Sequence, residues 1–113
     1  MTLNQTYRMC EEELDDIKRA SNKLKEYYSE WSQLDRTEKR LLEEVAYFSQ
    51  GTIAQKNAVQ AIDEHLYESR SAHQLLESLE DSYRQSEKNV RKKMDSIKDE
   101  IDTLRKEEQH AQD

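Results

Sequence analysis

Tyr47-Phe48-Ser49-Gln50-Gly51-Thr52-Ile53-Ala54-Gln55 is the stretch that decides the fold of this chain. Gly51 is the only glycine, and there is no proline. A glycine suits the left-handed backbone position that ends a helix. Thr52, with Gln55 three residues on, forms a capping box that opens a new one. One helix is therefore expected to stop here and another to start, the first over about residues 3–49 and the second over about 52–110.

Working outward, each side carries a heptad stripe. Before the turn, steps of four and three run through Leu3, Tyr7, Cys10, Leu14, Ile17, Ser21, Leu24, Tyr28, Trp31, Asp35, Glu38, Leu42 and Val45. After it they run through Val59, Ile62, Leu66, Ser69, His73, Leu76, Glu80, Tyr83, Glu87, Val90, Met94, Ile97, Ile101 and Leu104. Most of these positions are apolar, and that spacing puts them on one side of a helix. It also decides a question that composition leaves open. Only 34% of residues are apolar and 38% are charged, which fits either disorder or long helices with a thin stripe. A sustained 3.5-residue period belongs to the helices.

Folding the chain at Gly51 sets residues whose numbers add to about 104 opposite one another. Both stripes match in that register: Leu3 with Ile101, Leu14 with Val90, Tyr28 with Leu76, Val45 with Val59. The flanks agree, since Glu11 falls opposite Arg91, Lys25 opposite Glu77, Lys39 opposite Asp63 and Glu13 opposite Lys93. Lys18 against Arg84 is the one clash. The expected fold is all-α: a single domain, 1–113, of two long helices in an antiparallel, coiled-coil-like hairpin.

One flank is apolar near the turn. Tyr27, Leu34, Leu41 and Phe48 recur every seven residues on the first helix. Ala58, His65, Ala72 and Leu79 fall opposite, with Ala61 and Leu75 beside them. A hairpin has only one seam, so this second stripe is left over, and an uncovered apolar surface marks a protein interface. The expected partner-binding residues are Tyr27, Leu34, Leu41, Phe48, Ala58, Ala61, Ala72, Leu75 and Leu79. Small residues there let a partner helix approach, and large ones fill its grooves.

Charge and composition exclude several classes. The net charge is −7 and the pI about 5.0, which disfavours nucleic acid and anionic lipid. No apolar run approaches the length of a membrane span. Met1–Arg8 is polar, without the apolar core of a secretory signal. The single cysteine, Cys10, sits on the stripe and reads as a small buried apolar residue. His65 and His73 are two helical turns apart, too far to chelate one ion. His110 with Glu107 gives a single Glu-x-x-His, where a di-iron bundle uses two. His73 is expected to pack on Trp31 and His65 to lie on the apolar flank. Two helices side by side form no pocket for paired carboxylates. No catalytic, metal or cofactor residues are expected.

Asp35, Glu38 and Ser69 make a polar patch mid-seam, and two readings stand. In one, the register shifts locally and Leu34 and Leu41 take over the core. In the other, the polar residues select a partner by weakening self-association.

A helical hairpin of this size, acidic and signal-less, with Tyr47-Phe48-Ser49-Gln50-Gly51 at its mid-chain turn and heptads on both sides, resembles the WXG-type proteins of Gram-positive type VII secretion. More closely, it is similar to the small helical targeting proteins that accompany LXG-domain toxins. A WXG turn has tryptophan where Ser49 stands. The family's Tyr-x-x-x-acidic export signal has matches at Tyr7…Glu11 and Tyr83…Glu87, neither just past the end of the second helix. The resemblance therefore implies an accessory member of a complex whose export signal lies on another subunit. It implies a cytoplasmic adaptor or chaperone for the helical LXG domain of a toxin, acting alone or with a second small helical protein and exported, if at all, without a cleaved signal. Without its partner the isolated chain is expected to melt low, broadly or only as a homo-oligomer. The alternative is a self-associating coiled-coil spacer or scaffold, which would show the same stripe from end to end.

Overall fold

The computed structural model describes residues 2–112 and has two helices, α1 (Leu3–Phe48) and α2 (Ile53–Gln112), joined by a tight turn. Their bounds lie within a few residues of those expected. At the turn, Ser49 donates its N–H to the Val45 carbonyl, which closes the last turn of α1. Gly51 adopts φ +79°, the left-handed conformation that other residues adopt only at a cost. The Gln55 N–H then bonds the Thr52 hydroxyl, while the Gln55 side chain reaches back to the Gly51 N–H, 3.0 Å away. That second bond lands one residue earlier than in a standard capping box. The Thr52 hydroxyl donates in turn to the Ser49 carbonyl. The start of α1 repeats the device: Thr2 and Gln5 exchange the two bonds of a full capping box.

Packing groups the hairpin into two compact units, each with a stretch of both helices: Met1–Asn22 with Glu80–Asp113, and Lys23–Leu79. The first, at the open end, keeps the heptad register. Cys10, Leu14, Val90 and Ile97 are buried together, with Leu3, Tyr7, Ile17, Met94 and Ile101 packed against them. Cys10 is 2% exposed and takes the small apolar role expected of it.

The second unit carries the turn. Trp31 meets His73, and Asp35 meets both Ser69 and His65. Rising numbers on α1 thus meet falling numbers on α2, as an antiparallel pair requires. The buried line departs here from the expected seam. On α2 it runs through Ala58, Ile62, His65, Ser69, His73 and Leu76, in place of Val59 and Leu66. On α1, Leu42, Ala46 and Ser49 turn inward while Glu38 and Val45 turn out. The new steps on α2 average about 3.6 residues, the period of an α-helix without supercoiling, whereas the sequence repeats every 3.5. A straight helix drifts by about 20° per heptad against such a repeat, so a few heptads carry the buried line onto the neighbouring positions.

Drift overturns three expectations. Ala58 is 6% exposed and lies in the seam, so it is not available as a partner contact in this conformation. His65, expected on the flank, is buried. Leu34 and Leu41 do not take over the core: the drift turns their face of α1 outward, and both stay exposed. Among the described residues, none of the expected cross-helix ion pairs of the flanks forms either. Arg91 binds Glu87, one turn back on its own helix, and Arg84 binds Asp81. Neighbours three or four residues apart on one helix meet without holding two helices in strict register, and exposed pairs contribute little in either arrangement.

Two outcomes test this fold. Asp35→Cys with Ser69→Cys, in a Cys10→Ser background, should form a disulfide within one chain under mild oxidation; crosslinks only between chains would refute the hairpin. A Cβ at Gly51 would meet nothing within 4 Å, so Gly51→Ala should cost only the left-handed backbone penalty. That is about 1 kcal/mol, read from urea melts.

Candidate partner interface

The turn unit has two partly buried polar assemblies, of which only His65 is fully buried, and little apolar core of its own. In the first, Tyr28 and Trp31 each meet His73 edge to face. The Trp31 and His73 rings are 5.1 Å apart at 85°, and the Tyr28 hydroxyl lies 3.1 Å from His73 Nδ1. His73 therefore packs on Trp31, as the sequence suggested. In the second, His65 Nε2 lies 3.0 Å from Asp35 Oδ1, and Nδ1 lies 3.4 Å from Glu38 Oε2. Ser69 donates its hydroxyl to Asp35. A neutral imidazole has one N–H and so serves one of these carboxylates, whereas a protonated ring serves both. Among the described residues no buried side-chain polar atom lacks a partner.

This cluster explains the polar patch in the seam. Asp35 and Ser69 stay inside because they satisfy each other, and drift delivers His65 between Asp35 and Glu38. Such a network supports one alignment of the helices, since sliding either by a turn would leave buried polar groups unpaired.

The apolar material sits outside. Of the fourteen large hydrophobic side chains that remain exposed among the described residues, Met9 and Leu104 belong to the open-end unit and the other twelve to the turn unit. Tyr27, Leu34, Leu41 and Phe48 are all more than half exposed, and Phe48 reaches 82%. Leu75 and Leu79 are exposed on α2, while Ala61 and Ala72 are half-buried at the edge of the seam. Eight of the nine residues expected at a partner face are thus accessible at least in part, and Ala58 is the exception. Tyr47, Ile53 and Tyr67 are exposed as well, and Tyr47 packs edge to face on Phe48 at 5.4 Å. Heptad counting missed them because they lie off the stripe, although an aromatic pair beside a turn is itself a signal. Val45, Val59 and Leu66 join the exposed set because drift expels them from the seam. Burying one large apolar side chain contributes about 1.5–3 kcal/mol, so this surface holds much unrealised binding energy.

Other chemistry has little to build on. No group of three or more His, Cys, Asp or Glu among the described residues is arranged to hold a metal ion. No described helix is long and apolar enough to cross a membrane. Glu13 and Lys93 line one groove near Cys10, but no ion pair joins them among the described residues.

A double-mutant cycle tests the buried cluster. Asp35→Ala and His65→Ala should each destabilise the protein, with a coupling energy of about 1–3 kcal/mol in denaturant melts. Additive effects would mean that the cluster does not tie the helices together.

No protein-family model matches the chain, and neither does any curated protein or solved structure, so its function is read from the chemistry of this face.

Proposed function

We propose that this protein is a non-enzymatic adaptor or chaperone that binds an α-helical partner across the turn unit. One observation carries the reading. The open-end unit buries its own stripe, whereas the turn unit buries a polar cluster and leaves twelve large apolar side chains in water. A self-associating spacer has no reason to concentrate apolar surface in one stretch. A dedicated partner does, because energy in helix-on-helix interfaces gathers in a few central aromatic and aliphatic residues.

The resemblance described above supplies the identity of that partner: the N-terminal helical LXG domain of a toxin, held in the cytoplasm of the producing cell and made competent for type VII secretion. A second small helical protein completes the complex in that scheme. No cofactor, nucleic acid or membrane insertion enters it.

Co-purification and calorimetric titration with an LXG domain encoded beside this gene test the proposal. Leu34→Asp or Leu41→Asp should weaken binding by several kcal/mol, because each buries an unpaired charge. Circular dichroism should stay helical, since neither residue is in the seam. Lys25→Ala and Lys39→Ala, on the opposite flank, should change little. Normal binding by both aspartate variants would remove this face from the mechanism.

A further inference from the structure

The apolar face has a charged border, and the border says what kind of helix covers it. On α1, Glu30 and Glu44 each follow a stripe residue, Tyr27 and Leu41, by three positions, which places them along the outer edge of the stripe. Glu26 lies one turn before Glu30. On α2, Glu64 and Glu68 run along the same side of the hairpin, toward Leu75. All five carboxylates are exposed, and none pairs with a cation among the described residues. Glu26 with Glu30, and Glu64 with Glu68, are like charges at i and i+4, a spacing that weakens an isolated helix. The opposite flank of the turn unit is mixed: Lys25, Arg36, Lys39 and Arg70 stand with Glu43, Asp63 and Glu77. Two cations share the acidic side, Lys23 on the line of Glu30 and Glu44, and Arg40, which lines a groove with Glu44, Tyr47 and Phe48, so five carboxylates face two cations there and acid predominates beside the exposed leucines.

We infer that the occupant of this face is an amphipathic α-helix whose apolar stripe is bordered by Lys and Arg. The inference rests on the partner-binding reading above and adds the chemistry of the partner. Cations along that helix would meet Glu30, Glu44, Glu64 and Glu68 as its stripe covers Leu34 and Leu41, and they would relieve the repulsion within each acidic pair. A second copy of this chain is opposed by the same border, because a twofold interface sets each surface against itself and would bring carboxylates against carboxylates. Complementary charge of this kind selects partners and speeds encounter more than it adds affinity.

Two labelled four-heptad peptides, alike except for Lys or Glu at the positions bordering a leucine stripe, test this with the full-length protein by fluorescence anisotropy. The Lys peptide should bind about tenfold tighter or better at low salt, and the gap should shrink in high salt. Glu30→Lys with Glu68→Lys should reverse the preference, with helicity checked by circular dichroism. Leu34→Asp should abolish binding of both peptides. Equal affinities that Leu34→Asp still abolishes would keep the face and overturn its chemistry. No binding of either peptide, or binding that Leu34→Asp leaves intact, would overturn both. A wild-type chain that sediments as a dimer, with Leu34→Asp a monomer, would assign the face to a second copy.

Discussion

The mismatch between a 3.5-residue repeat and a 3.6-residue helix governs which side chains of the turn unit meet and which are left in water. Two helices that supercoil keep a heptad stripe facing inward, and helices that do not must let the stripe rotate away. In the open-end unit the buried positions, Cys10, Leu14, Val90 and Ile97, stay on the repeat. In the turn unit they do not. Ala58 and His65 replace Val59 and Leu66, and Ala46 replaces Val45. Each exchange puts a smaller or more polar residue inside and a branched apolar one outside. The same rotation leaves Leu34 and Leu41 more than half exposed. The poor core of this unit and its rich surface thus have one cause.

That cause also marks where sequence reasoning stops. The two helices, their antiparallel pairing and the position of the turn were legible because each has a local signal: Gly51 for the left-handed residue, Thr52 and Gln55 for the new N-terminus, and stripes that match only when folded back. The drift had no such signal. Val59 and Ala58 are both apolar neighbours, and choosing between them depends on whether the helices supercoil, which is a property of the pair. Heptad register places His65 on the flank, and Asp35 and Glu38 come within its reach only after the rotation. The expected salt bridges failed for another reason. Glu87 stands four residues before Arg91, so a partner within the helix was as visible as Glu11 across it, and charge alone does not choose between them. The stripe of Tyr27, Leu34, Leu41 and Phe48 was legible, while Tyr47, Ile53 and Tyr67 were not, because they follow no repeat.

A seam built on His65, Asp35 and Ser69, with Glu38 reaching His65 from its edge, contributes less to stability than an apolar one. Hydrogen bonds exchanged with water give back most of their strength, whereas leaving one unmade when it is buried costs in full. The cluster therefore adds little to the depth of the folded state and much to the cost of misalignment. Its side chains reach across both helices, so it penalises displacement of either one. It holds the helices in one alignment without filling the space between them as leucines would.

This division of labour bears on how a partner would be recognised. If apolar packing held the seam of the turn unit, an incoming helix could compete for the same leucines, and binding would open the hairpin. Here the cross-helix contacts of the cluster are polar and specific to α1 and α2, while the side chains left exposed are apolar. An apolar helix gains nothing by displacing Asp35 from His65, because it has no groups to satisfy either one. It gains a great deal by covering Leu34, Leu41 and Leu75. The exposed face can therefore be strongly adhesive without endangering the fold that presents it. General adhesion discriminates poorly among helices, however, and on this surface only the charges along its edge remain to tell one apolar helix from another.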